Sequence, residues 1–434
     1  MGKMTIGHLA RVEGHGGITV HIDGEKVTRV DMDVYEGSRL YEALLVGKRY
    51  SEVASITSRV CGICSAGHAL CATFAVEDAF GVPVPPTAKI LRDLLIHGEN
   101  IESHALHFFF LALPDFFGKK SVLHLQGDAP ELVSAGVSLK KLGNRIQEIV
   151  GGRPVHPVNL CPGGLVSPPS PGELRELLSQ MENHLDNVDL ITSEVEKVKV
   201  PELLSREATF VALTSDEPDY PFTGEKIKTS AGEEYPLGEF RRICHERVVR
   251  HSTAKQSLYS GKPFMVGALA RIVINGEKLG GKAREVRERL LPPDPSRTPL
   301  HNNNAQFVEL VHSLEESARL IRVLLDSDTS EVRSGDVIPR EGSGIGALEV
   351  PRGTLYHYYE FDGEGKVRDA EIITPTAQNL ANIESDLTIC AENAPLENRL
   401  EVVRRLEMVA RAYDPCISCS VHIIRKEERG ERSG

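Results

Sequence analysis

Four cysteines fall into two Cys-x-x-Cys pairs, Cys61 with Cys64 and Cys416 with Cys419. Two intervening residues let both sulfurs of a pair reach one metal centre, and Gly62 lets the backbone turn between the first two thiols. Pro415 fixes the approach to Cys416 and removes one N–H donor. His68 trails the first pair and His422 the second, where a histidine can orient a ligand. Three chemistries fit this set. Structural zinc sites usually keep their pairs within ~20 residues, whereas about 350 residues separate Cys64 from Cys416. A redox dithiol needs a βαβ context, which neither pair has. The third chemistry is a catalytic metal held by soft thiolates, for which nickel and iron are suited. The other cysteines, Cys71, Cys161, Cys244 and Cys390, stand singly with no iron–sulfur spacing and read as small buried hydrophobes.

The elements around these residues are legible from periodicity. Ile18, Val20 and Ile22 alternate, Asp23-Gly24 signals a turn, and Val30, Met32 and Val34 alternate again, which predicts a hairpin. A helical pattern runs from Ser51 through the first thiol pair to Phe80, where Gly81 and Pro83 stop it. Apolar residues from Ile90 to Phe109 predict a buried central helix over about 87–113, and further helices are predicted at about 129–150 and 172–198. A second hairpin is expected at 354–374, and a helix over 398–413 delivers the chain into Asp414-Pro415-Cys416. Segments 212–238 and 288–304, rich in Pro, Gly, Asp and Asn, read as surface-loop insertions. The expected fold is α+β, one domain over 1–434 with a large helical core bundle and peripheral antiparallel hairpins.

Composition narrows the function. The 434 residues carry 50 basic and 62 acidic side chains, a formal charge of −12, and no basic stripe of the kind that neutralises phosphates. A nucleic-acid binder is therefore not expected. Residues 1–20 lack an apolar secretory core, and Ala105–Leu113 falls far short of the ~20 apolar residues of a spanning helix. A soluble, cytoplasmic chain without a transmembrane segment is the expectation.

The residues flanking the thiols resemble those of the large, catalytic subunit of [NiFe] hydrogenases along essentially the whole chain. Arg59-x-Cys61-Gly62-x-Cys64-x-x-x-His68 and Asp414-Pro415-Cys416-x-x-Cys419-x-x-His422 match that family's two metal-binding signatures. Arg11-Val12-Glu13-Gly14-His15, Pro351-Arg352-Gly353 and Thr374-Pro375-Thr376 leading to Asn379 match further motifs. The short length and Pro263-Phe264-Met265-Val266-Gly267 look most like the cytosolic bidirectional branch, closest to its sulfhydrogenase or NADP-linked type. Gln378 and Leu40-Tyr41 depart from the typical uptake enzyme at outer positions. The related subunit of respiratory NADH dehydrogenase shares the fold but lacks the four thiols.

This resemblance implies the hydrogenase large-subunit fold and reversible heterolytic cleavage of dihydrogen. It implies Cys61 and Cys416 as terminal nickel ligands, and Cys64 and Cys419 as bridges to an iron carrying CO and cyanide. His68 would hydrogen-bond the Cys64 sulfur. Asp115 and Asp414 would hold the Arg352 guanidinium over the metals, and Thr376 with the backbone at Pro351 and Arg352 would bind cyanide. Glu42 and His422 would be ligands of a structural Mg2+, and Glu13 would relay the proton taken by Cys416, with Arg352 an alternative base. His104, His107 and His156 are expected to be structural. Implied partners are an iron–sulfur small subunit, flavin/NAD(P) diaphorase and ferredoxin-like subunits, and a maturation endopeptidase that cuts after His422 to release the polar tail 423–434 as a propeptide. Electrons would pass on to NAD(P) or sulfur. The alternatives are a non-catalytic zinc-stabilised scaffold, or a deazaflavin-reducing or heterodisulfide-linked cytosolic hydrogenase.

Overall fold

The computed structural model describes residues 2–37 and 40–421. The helix Pro86–Ala105 lies at its centre, against the helices Pro130–Gly151 and His301–Leu325. Its leucines, Ile96 and Ile101, with Ala88 and Ala105, are buried on almost every side, as an apolar pattern wider than a single stripe requires. Pro86 sits in its first turn, where a missing N–H costs nothing. The chain does not stop at Ala105. It runs on through a π-helical stretch, Leu106–Ala112, into Leu113–Phe116, so the expected central helix is present and longer. Such wide turns often mark functional sites, and this one delivers Asp115.

Small sheets flank the helical core. The expected N-terminal hairpin pairs Gly16–Asp23 with Lys26–Val34, and a strand not read from the sequence, Gly2–Ile6, adds to its edge. The C-terminal hairpin pairs Gly353–Phe361 with Val367–Ile373, and Gly342–Val350 makes it three-stranded. Segment 212–238 differs from the loop reading. Thr209–Thr214, Lys226–Thr229 and Glu234–Pro236 are strands of a four-stranded sheet completed by Phe264–Met265. Val211, Leu213 and Ile227 are buried there, and their short alternation is masked in sequence by the Pro- and Gly-rich turns between them. Segment 288–304 does hold an irregular connection, between the helices Gly281–Leu290 and His301–Leu325.

Two glycines set close approaches. A Cβ on Gly346 would lie 2.0 Å from the Cys71 carbonyl oxygen, so the helix Ser65–Phe80 rests directly on the strand Gly342–Val350. A Cβ on Gly143 would lie 2.4 Å from the Glu102 backbone nitrogen, which brings the helix Pro130–Gly151 against the central one. His422 and the segment 423–434 lie outside the described residues, as does Arg39.

Candidate metal centre

The two thiol pairs meet although they come from opposite ends of the sequence. Cys61 follows a short turn, Ser58–Val60, and Cys64 precedes the helix Ser65–Phe80. Ile63 and Cys64 donate backbone N–H groups to Cys61 Sγ at 3.3 and 3.2 Å, so the loop folds around that sulfur. At the other end, the helix Arg399–Ala412 delivers Asp414, whose φ of 51° is left-handed and turns the chain sharply into Pro415 and Cys416. Cys61 Sγ lies 3.5 Å from Cys416 Sγ, and Cys64 Sγ lies 3.9 Å from Cys419 Sγ. The Cys416 and Cys419 sulfurs touch, and all four sulfurs lie within 4.8 Å of one another, all buried. Ligands at ~2.3 Å from a shared metal would stand ~3.8 Å apart in a tetrahedral set, a spacing that the Cys61–Cys416 and Cys64–Cys419 pairs match and to which Cys416 and Cys419 would part around a metal. The Cys61 thiol is held below its ordinary range by the hydrogen bond with Cys64, and then, against burial, by the Arg352 charge.

Charged side chains converge on this cluster. Glu13 accepts a hydrogen bond from Cys416 Sγ at 3.2 Å through Oε2, which also takes the Ser418 N–H at 3.1 Å. The Ser418 hydroxyl donates to Glu13 Oε1, and the Ile417 N–H donates to the Glu13 carbonyl at 2.9 Å. Arg352 occupies the two-residue tip of the hairpin between Val350 and Gly353. Its Nε donates to the Asp414 carbonyl at 2.8 Å and its Nη2 to Asp414 Oδ1 at 3.0 Å. Burial works against the guanidinium charge, but Asp414 and then the two N-terminal thiols hold it positive. Gln306 donates to the second Asp414 oxygen at 3.1 Å, so that carboxylate is pinned from both sides.

Several expected roles change. Asp115 does not hold Arg352. Its carboxylate takes a two-pronged ion pair from Arg411, Nε at 2.7 Å and Nη2 at 2.9 Å, together with Arg11 Nη2. The π-helical turn aims Asp115 at these two cations, and Asp414 alone is left to Arg352. His68 does not hydrogen-bond the Cys64 sulfur either: its Nδ1 meets His357 Nε2 at 3.0 Å, and His357 Nδ1 meets the Tyr359 hydroxyl. Burial pulls His68 down to about 3 and His357 well down too, so two neutral rings are joined by a single N–H···N hydrogen bond. The Thr376 hydroxyl accepts the Cys416 N–H at 3.0 Å, and the Pro351 carbonyl accepts from Arg271 at 3.1 Å. Glu42 accepts the Ile372 N–H at 3.0 Å beside a small cavity lined by Tyr41, Val60, Ser418, Cys419 and Val421. Its expected companion His422 follows Val421 but lies outside the described residues.

The histidines set aside as structural are so. His104 meets Glu309 at 2.9 Å, and His107 joins Gln306 to the Arg411 carbonyl. His156 donates its backbone N–H to the Ser65 hydroxyl at 3.0 Å and reaches the Ser58 carbonyl with Nδ1 at 2.9 Å, bracing both sides of the first thiol loop. Cys71, Cys244 and Cys390 are buried and Cys161 is half-buried. Sequence reasoning missed Arg271, Glu309 and Glu349. Arg271 is fully buried and makes five hydrogen bonds, two to Glu309, one to Glu349 and two to the carbonyls of Val350 and Pro351, so it fixes the hairpin tip carrying Arg352. A single charge within the apolar run 264–274 was the available signal. Glu99 was missed as well; it is buried under Gly67, and burial followed by the Cys61 charge pushes its carboxyl well up.

Comparison with known proteins agrees with this geometry. The family described as nickel-dependent hydrogenase matches residues 39–138 and 191–422. The chain is 36% identical to the sulfhydrogenase 1 alpha subunit of Pyrococcus furiosus, over 97% of this chain and 98% of that one. It is 28% identical to the beta subunit of the NAD-reducing hydrogenase HoxS of Cupriavidus necator, over 97% and 95% of the two chains. A solved NAD+-reducing [NiFe]-hydrogenase in its H2-reduced state superposes with a TM-score of 0.89 at 27% identity, covering 97% of this chain and all of that one. The chain belongs to the nickel-dependent hydrogenase family, as the catalytic large subunit of a [NiFe] hydrogenase. It is thus an oxidoreductase acting on dihydrogen, and a non-catalytic zinc scaffold is set aside.

Proposed function

We propose that Cys61, Cys64, Cys416 and Cys419 hold the nickel–iron centre, and that Cys416 and Glu13 carry the proton of dihydrogen cleavage. The four buried sulfurs within 4.8 Å, with a carboxylate on one of them, are the observation that carries this reading. A bound nickel–iron pair supplies the Lewis acidity and redox capacity for splitting dihydrogen. The chain supplies the proton path. Cys416 Sγ takes the proton, and Glu13 Oε2, 3.2 Å away, receives it. Ser418 holds that carboxylate through its N–H and hydroxyl. Glu13 is only partly buried, so its far side opens outward. Arg352, tied to Asp414, keeps a fixed positive charge over the thiols and polarises the site.

Finer features rest on the family resemblance. The iron carries CO and cyanide, with Pro351, Arg352 and Thr376 as their partners; the hydrogen bonds of Arg352 to Asp414 and of Thr376 to Cys416 support that grouping. Glu42 and His422 bind Mg2+, which the cavity between Glu42 and Val421 supports. Asp115 and His68 serve by position: Asp115 gathers Arg11 and Arg411, and His68 braces the first thiol loop against His357. An endopeptidase removes 423–434. The similar proteins are named as alpha and beta subunits, which supports an iron–sulfur small subunit and, beyond it, flavin/NAD(P) and ferredoxin-like subunits passing electrons to NAD(P) or sulfur. Among the described residues no helix is long and apolar enough to cross a membrane, in keeping with a cytoplasmic enzyme.

Metal analysis and infrared spectroscopy of the purified complex test the reading. Nickel and iron with CO and cyanide bands, and hydrogen-dependent viologen reduction lost in Cys64→Ala, are the expected results. Zinc without those bands, or full activity in Cys64→Ala, would overturn it.

A further inference from the structure

A second cluster of metal-binding groups lies away from the thiols. Asp31 comes from the strand Lys26–Val34, Glu384 from the helix Pro375–Glu392, and His251 from the connection before Ala254. One oxygen of each carboxylate and one ring nitrogen of His251 lie within 4.8 Å of one another. Each is held by a neighbour. Glu384 Oε1 accepts the Met32 N–H at 3.0 Å and meets His251 Nε2 at 2.6 Å. Asp31 Oδ2 meets His21 Nε2 at 2.7 Å, and Arg29 pairs with both Asp31 oxygens.

Charge at the cluster is unbalanced. Asp31, Asp33 and Glu384 all bear on His251, and Arg29, whose side chain is 64% exposed, is the cation paired with Asp31. The Glu384 hydrogen bond and the nearby carboxylates raise His251 toward its charged form, so a divalent cation that takes the ring nitrogen displaces that proton and supplies the positive charge between the two carboxylates in its place. Two carboxylates and one imidazole, with His21 orienting the Asp31 oxygen, match the nitrogen and oxygen donors of a three-ligand zinc-type site whose fourth position is left to water. Ligands ~2.0–2.1 Å from such an ion stand ~3.3 Å apart, so the 2.6 Å His251–Glu384 contact needs to open by about 0.7 Å.

We propose that Asp31, His251 and Glu384 bind a divalent transition-metal cation of the zinc class, clipping the N-terminal sheet to the helix Pro375–Glu392. That pairing has a structural consequence. The chain entering the sheet carries Glu13 and the helix carries Thr376 in its first turn, and both contact Cys416. The clip fixes the two elements that hold this residue.

Zinc added to the nickel- and iron-loaded complex, followed by dialysis and elemental analysis, tests the site. One additional zinc per chain is expected, lost in His251→Ala and in Glu384→Gln with nickel and iron contents unchanged. His21→Gln should weaken zinc ~10- to 100-fold, since it removes only an orienting hydrogen bond. Co2+ in place of zinc should give weak visible bands without sulfur charge transfer. No additional zinc in the wild type, retention of it in both His251→Ala and Glu384→Gln, or sulfur charge transfer from the added Co2+ would overturn the proposal.

Discussion

A thiolate that trades protons with solvent needs a carboxylate in contact, and Glu13 meets that demand at Cys416. Glu13→Gln keeps the shape and the Ser418 neighbour but removes the base. It should retain nickel and iron while losing most hydrogen–deuterium exchange with solvent; unchanged exchange would take Glu13 out of the path. Arg352 grips Asp414 with two nitrogens, a fork that a lysine ammonium cannot reproduce. Arg352→Lys should cut turnover with viologen by ~100-fold or more with metals retained, and near-normal turnover would show that charge alone suffices. The thiols were legible because metal chemistry dictates their residue type and local spacing, whereas Glu13 and Arg352 were named only through the family resemblance, since a lone carboxylate or arginine carries no such spacing. The partner of Asp115 was not: Arg411 stands 296 residues away, and no local pattern announces which of several acids an arginine will meet.

Helices and sheets were read well where one periodicity ran long enough, as in the hairpin around Asp23-Gly24 and the helix Arg399–Ala412. The strands Thr209–Thr214 and Lys226–Thr229 were hidden because four to six residues between strong turn formers give too little alternation to register. Close packing was equally silent, since Gly143 looks like any helix-weakening glycine until its neighbour is known. Gly143→Ala would push the helix Pro130–Gly151 off Glu102 and the adjoining Ser103, whose hydroxyl lies 3.4 Å from Arg352. A stability loss of ~1–3 kcal/mol is expected in denaturant unfolding, together with reduced activity, whereas an alanine normally strengthens a helix.

Across the whole molecule, a fully buried ion pair joins the central helices to the hairpin that bears Arg352. Burial alone would raise the Glu309 carboxyl, but Arg271 and then His104 draw it down to about 2 from the ordinary 4.5. A lowered folded value means that its contribution is complete above pH 4.5 and is lost as pH falls through about 2. Glu309→Gln leaves Arg271 with less countercharge and should cost ~3–5 kcal/mol at neutral pH. The variant's stability should also fall less steeply than the wild type's between pH 4.5 and 2, and an equal slope would place the titration elsewhere. Intact-mass measurement of the active, nickel-containing subunit should find residues 423–434 missing; an active subunit ending at Gly434 would refute processing.

The distance along the chain between Cys61 and Cys416, 355 residues, is also an interval of time. At ~5–20 residues per second, roughly 20–70 s pass between synthesis of the first sulfur and its partner. Throughout that interval the nascent chain carries one thiol pair and Glu13 with neither Cys416 nor Ser418 to complete the pocket. The site therefore cannot be assembled stepwise as the chain emerges. Its last wall arrives only when Cys416, Ser418 and Cys419 have been made, so a metal held by all four sulfurs must wait for them.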